Sequence, residues 1–187
     1  ACRAAATWPD TAWVSVNLSP RQLSDPELLV SIEAALERAG LAPHRLHLEL
    51  TETAVLGDAN SLVAPLERLK ALGVRLVLDD FGTGFSSLAH LRRHPIDAVK
   101  IDRAFIAPLP RGGTERAIVR AIVGLAASLG IELIAEGVER PGQAKALLAL
   151  GCELAQGWAY GRECTDEEIG KLLAIIPAPR LRAESAR

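Results

Sequence analysis

Short apolar runs recur along this chain with a helical pattern between successive runs, and that alternation narrows its possible folds more than any other feature. The strand candidates are Trp13–Leu18, Leu46–Leu50, Val74–Leu78, Ala98–Ile101, Glu132–Ala135 and, more faintly, Glu153–Gln156. Between the first two, Leu28, Leu29, Ile32 and Leu36 form an apolar stripe behind a Ser24/Glu27 capping box, and Gly40 supplies the stop. A second helix is predicted over Ser61–Leu72, with Pro65 an awkward fit, ending at Gly73. A third spans Thr114–Leu129 on Ile118, Ile122, Leu125 and Leu129 and stops at Gly130. Pro141 opens another that ends near Leu150, and Thr165 with Glu168 caps the last. Repeated strand–helix units build a parallel sheet with helices outside it.

Where the polar residues fall decides between an open sheet and a closed barrel. Almost every predicted strand places them at its C-terminal end: Asn17 and Ser19, Glu49 and Glu52, Asp79 and Asp80, Lys100 and Asp102, Glu136 and Glu139, then Gln156. That end is the active face of a (β/α)8 barrel. A doubly wound sheet would gather such residues at one crevice instead. The expected fold is therefore an α/β, TIM-like (β/α)8 barrel, with about six of its eight strands in this chain.

Composition bounds the rest. The 187 residues, 49% of them apolar, suffice for one domain with a sizeable core. We expect the barrel over residues 1–176 and a disordered tail of Pro, Arg, Ala and Ser over 177–187. Met is absent even from position 1, so the chain is expected to be a piece of a longer protein. A net charge of −2 leaves no basic footprint for duplex nucleic acid. No apolar run approaches membrane-spanning length, and no signal-peptide pattern is present. Cys2, Cys152 and Cys164 lack close metal-ligand spacing and read as reduced thiols of a cytoplasmic protein.

Chemistry concentrates in Asp79-Asp80-Phe81-Gly82-Thr83-Gly84. Two adjacent carboxylates at a strand end repel each other, so they need a cation, an opposite charge or a raised pKa; the structural alternative is an acidic cap on the following helix. Asn17, Glu49, Asp79, Asp80 and Glu136 are all hard oxygen donors, a set suited to Mg²⁺ or Mn²⁺, and no His or Cys competes at these positions. A pair of such ions can activate a water and stabilise a leaving oxygen. Lys100 and Asp102 share a strand face, and a lysine among carboxylates could neutralise a phosphate or hold the attacking water. An ion pair with Asp102 is its structural alternative. His90 and His94 stand four apart before Pro95, which favours a solvated helix face, and His47 shares a strand face with Glu49 as a core or supporting residue.

Six ordered stretches carry a family resemblance: VSVNLSPRQL at Val14–Leu23, LELTET at Leu48–Thr53, LDDFGTGFSSL at Leu78–Leu88, IDAVKIDRAFI at Ile96–Ile106, IAEGVE at Ile134–Glu139 and QGWAYGR at Gln156–Arg162. In these the chain resembles the bacterial EAL domain, the phosphodiesterase that cuts cyclic di-GMP to linear pGpG. The resemblance implies that Asn17, Glu49, Asp79 and Glu136 ligate metal and that Asp80 holds a second ion. It implies that Lys100 and Gln156 position the hydrolytic water, with Asp102 close to the ions. Glu139 and Arg21 would meet the substrate. Glu52 would brace the loop Phe81–Ser87, through Ser86, and that loop would couple homodimerisation to activity. The Glu-Ala-Leu motif that names the family is absent, together with a metal-binding Glu and a substrate-binding Arg that the family carries before the Asn17 strand. Ala1-Cys2 resembles the last turns of the missing helix, so the gap reads as truncation. Glu163 stands where Pro is common, and Trp158 where Tyr or Phe is usual.

The resemblance implies a cytoplasmic, Mg²⁺- or Mn²⁺-dependent cyclic di-GMP phosphodiesterase with two ions. Members of that family often carry an upstream GGDEF or sensor domain, and some full-length parents are membrane-tethered. The alternative is an inactive EAL-like module that binds cyclic di-GMP or a protein partner. Loss of Glu49, Asp79, Lys100 or Glu136 would favour that alternative, and all four are present.

Overall fold

The computed structural model describes residues 1–56, 62–82, 91 and 93–175. Six strands, β1 (Val14–Leu18), β2 (Leu46–Thr51), β3 (Arg75–Phe81), β4 (Ala98–Ile101), β5 (Glu132–Ala135) and β6 (Leu154–Ala155), pair in parallel in the order of the sequence. Sequential order excludes a doubly wound sheet, which needs a reversal of strand order, and is that of a barrel wall. On β2 the alternation of strand side chains puts Leu46, Leu48 and Leu50 on one face and His47 and Glu49 on the other, yet all five are buried. Both faces of β2 are thus covered, as in parallel sheets generally.

Helices Leu28–Ala39, Val63–Ala71, Thr114–Leu129 and Pro141–Leu150 alternate with the strands, and the core gathers Ile32, Leu36, Leu66, Val119, Ile122 and Leu147 with the strand leucines. Pro65 falls in the first turn of its helix, where a missing N–H costs nothing. The buried stripe of Thr114–Leu129 is Val119, Ile122 and Ala126, so Ile118, expected inside, is exposed. The Ser24/Glu27 capping box does not form. Ser24 instead closes the short helix Pro20–Leu23, donating to the Pro20 carbonyl at 3.2 Å, and Asp25 Oδ1 accepts from Glu27 N at 2.9 Å. The Thr165/Glu168 box does form, with Glu168 Oε2 accepting from Thr165 N at 2.8 Å. His94 is buried at a bend and not on a solvated helix face. His90, the tail from residue 176 and the start of the Ser61–Leu72 prediction lie outside the described residues.

The end opposite the strand C-termini is bolted by charge. Arg45, 6% exposed, donates to the carbonyls of Ala5, Trp8, Pro9 and Ala12 and to Asp10, fixing the segment that leads into β1. Lys70 Nζ meets both oxygens of Asp97 at 2.7 Å, and Arg75 meets Glu132 at 2.9 Å. Charge at this face serves stability, leaving the other face free for chemistry.

Candidate active site

β3 creates the first unusual feature of the mouth. Leu78 pairs with Val99 but Phe81 pairs with Ile101, so β3 spends one extra residue against β4. Adjacent strand residues normally point to opposite faces, and a bulge is the device that re-aims them. Asp80 takes it up with φ of 57°, in the left-handed region that Asp tolerates better than most residues. The consequence is that Asp79 and Asp80 serve one site: each offers an oxygen within 4.8 Å of the others in a trio with Glu136.

Lys100 is the hub. Its side chain is almost completely enclosed, and Nζ lies 2.8 Å from Glu49 Oε2, 3.4 Å from Asp79 Oδ1 and 2.5 Å from Glu136 Oε1. Carboxylates from β2, β3 and the end of β5 therefore meet one ammonium from β4, which only a strongly curved sheet permits, since neighbouring strands stand about 4.8 Å apart. Asp102 is not its partner. That residue caps the helix Arg103–Ile106 by accepting from Ala104 N at 2.8 Å. Gln156 donates from Nε2 to Glu136 Oε1 at 2.6 Å, tying the end of β6 to the cluster. Asn17 stands beside Glu49 in the β1–β2 register, exposed at the mouth.

The electrostatics follow from one cation shared among several acids. Burial alone would lower the Lys100 pKa, but the hydrogen bonds it donates to Glu136 and Glu49 more than reverse this, so the ammonium holds its proton above the usual lysine range. Burial pushes the Glu136 carboxyl up, against the pull of Lys100. Asp80 is also raised, by partial burial and then by its neighbours Asp79 and Asp102. A third of a lysine each does not compensate these carboxylates. All the donors are hard oxygens, so the set fits Mg²⁺ or Mn²⁺ and offers nothing to a softer ion.

Glu52, 3% exposed, opens the helix Glu52–Leu56, and its Oε2 accepts from Gly82 N at 3.1 Å while Oε1 has no partner among the described residues. It thus holds Gly82, the first residue after β3; Ser86 and residues 83–87, where the rest of the bracing was expected, lie outside the described residues. Glu139 pairs with Arg103 at 3.0 Å. Arg21 is exposed in the helix Pro20–Leu23 and is not brought to the cluster. His47 lies one layer below Glu49, stacked on Trp13 with ring centroids 5.1 Å apart. Burial, then Arg75, lowers its pKa to about 4, so it is a neutral core residue.

Two residues that sequence reasoning did not single out shape the mouth. Gln143, 1% exposed, accepts from Glu139 N and Arg140 N at 2.9 and 2.8 Å and donates to the Ile106 carbonyl at 3.2 Å. Gly157, with φ of 146°, lets the turn after β6 lie against Val138, whose backbone N and O would stand 2.4 Å from any Cβ there. The only signals for either were a polar residue three positions after Arg140 and a glycine beside Gln156.

Known proteins share this fold. MucR of Pseudomonas aeruginosa, a bifunctional diguanylate cyclase/cyclic di-GMP phosphodiesterase, is 42% identical over 173 residues, covering 90% of this chain and 25% of MucR. The structure of its phosphodiesterase in complex with cyclic di-GMP covers 90% of this chain and 70% of that one, with a TM-score of 0.84. BlrP1 of Klebsiella pneumoniae, solved with manganese and cyclic di-GMP, is 32% identical with a TM-score of 0.82 over 88% of this chain and 42% of that one. The chain spans 20% to 25% of the length of several curated relatives. A TIM-barrel-like α/β fold, the strand-end carboxylates and a family model that matches residues 1–163 lead to one conclusion: the chain belongs to the EAL domain family.

Proposed function

We propose that this chain is the metal- and substrate-binding part of a cytoplasmic cyclic di-GMP phosphodiesterase domain that releases linear pGpG. The observation that supports it best is the meeting of Glu49, Asp79 and Glu136 on Lys100, with Asp80 added to the same mouth by the β3 bulge. Asn17, Glu49, Asp79, Asp80 and Glu136 would hold two ions of Mg²⁺ or Mn²⁺. Such ions supply a nucleophile at neutral pH and charge stabilisation at the leaving oxygen. The protein's own part is positioning. Lys100 stays charged beside the carboxylates, where its ammonium can hold an attacking water and offset charge that builds on the phosphoryl oxygens. Gln156 fixes the orientation of Glu136 and Glu52 fixes the first residue after β3, while Asp102, Glu139 and, from outside the cluster, Arg21 would meet the dinucleotide.

The test uses this chain joined to the family's Glu-Ala-Leu segment. With Mn²⁺ and cyclic di-GMP it should release pGpG, and Lys100→Ala should depress kcat far more than it weakens nucleotide binding, because its contribution is greatest in the transition state. Tight cyclic di-GMP binding without product would replace this reading with the binding-module one.

A further inference from the structure

Arg103 stands one residue beyond Asp102, at the start of the helix Arg103–Ile106, and the mechanism above gives it no role. Its side chain lies across the turn that follows Glu136. The Nη2 atom is 3.0 Å from Glu139 Oε1. Its stem lies so close to Gly137 that a Cβ there would come within 2.6, 2.8 and 2.9 Å of Arg103 Cγ, Cβ and Cδ. Gly137 has φ of 65°, so the turn has the one residue type that accepts both the backbone conformation and the approach. The far end of the same helix grips the same turn, through Gln143, which bridges Ile106 O to the amides of Glu139 and Arg140.

Glu136 needs such support more than its neighbours do. Asp79 and Asp80 belong to β3, whereas Glu136 lies just past the last residue of β5, held by a hydrogen bond from its amide to the Ile101 carbonyl at 3.1 Å. We propose that Arg103 is a positioning residue: by clamping Gly137 and Glu139 it fixes the turn, and so the aim of Glu136 toward Lys100, Asp79 and Asp80. The inference rests on the ion-site reading for its consequence, but the clamp itself does not.

The experiment compares the whole chain with Arg103→Ala, Arg103→Lys, Glu139→Gln and the Arg103→Ala/Glu139→Gln pair, by Mn²⁺ calorimetry, thermal melts and amide hydrogen exchange. Arg103→Ala should weaken Mn²⁺ binding about tenfold, as loss of a ligand's supporting partner does. It should speed exchange at Val138 and Glu139 and shift the metal-free Tm by less than about 4 °C. Glu139→Gln should reproduce the weakening, the double variant should add nothing to it, and Arg103→Lys should recover part. Unchanged exchange with unchanged Mn²⁺ affinity in Arg103→Ala overturns the proposal, as does a lowered Tm with affinity intact, which is the behaviour of a plain surface ion pair. If the wild-type chain binds no Mn²⁺, the ion-site reading falls, and the exchange rates alone decide whether Arg103 clamps the turn.

Discussion

Lys100 places one positive charge among Glu49, Asp79 and Glu136, with Asp80 close by, and the excess of negative charge has a measurable pH signature. Glu136 and Asp80 are raised above their ordinary values, so the folded state binds their protons more tightly than the unfolded chain does. Their contribution to stability is therefore fully present below about pH 4 and lost as pH rises through the raised values. A divalent cation should offset that loss, so the gain in Tm on adding Mn²⁺ should be large near neutrality and fade on acidification. Melts with and without Mn²⁺ across the acid range check this; a gain independent of pH would contradict it. His47 works with the opposite sign. Its folded pKa of about 4 lies below the ordinary 6.5, so its contribution is present above 6.5 and lost as pH falls toward 4, and His47→Leu should flatten that slope. At this scale the clustered carboxylates were legible because acids ending apolar runs have no packing reason to be there. Arg103 and Gln143 were not, because polar residues in turns are ordinary. His94 was misread because its burial depends on tertiary packing that i,i+4 spacing does not reveal.

Strand β3 shows what an element adds to its residues. Nothing in the letters Asp79-Asp80 reveals that strand alternation breaks there, and the bulge is visible only in the pairing with β4. Asp80→Asn should remove the carboxylate charge while keeping a residue that tolerates φ of 57°, whereas Asp80→Ala should lose about 1 kcal/mol more stability for the left-handed conformation. Both should weaken Mn²⁺ binding alike, and denaturant melts separate them. At the turn after β6, Gly157→Ala would drive a Cβ into the Val138 backbone and should cost roughly 1–3 kcal/mol, with Gln156 displaced from Glu136. Of the elements themselves, β4, β5 and the helices Thr114–Leu129 and Pro141–Leu150 have the bounds expected from sequence, since apolar periodicity and glycine or proline stops agree there. The Ser24/Glu27 box failed because the short helix before it took Ser24 as its own terminus. β6 shrank to two residues, a length at which periodicity says nothing.

For the whole molecule, sequential parallel order and a charged mouth opposite a bolted base follow from strand–helix repetition and from where the polar residues fall. Strands β1 and β6 are the outer members of the described sheet. On the helix side of β1 and β2 a groove of about 720 Å³ is lined by Val16, Leu18, Ile32, Leu46 and Leu48. Strand edges without a pairing partner among the described residues, beside apolar surface, favour association, so sedimentation of this chain should show concentration-dependent self-association, and a monomer at all concentrations would contradict that. An ion site at the mouth can be counted directly. Electron paramagnetic resonance separates free from bound Mn²⁺ and can be applied to the chain near neutral pH. About two bound ions are expected in the wild type, as a two-metal site requires, with clear loss in Asp79→Asn. No bound Mn²⁺ at millimolar metal, or an Asp79→Asn chain that binds as the wild type does, would contradict it.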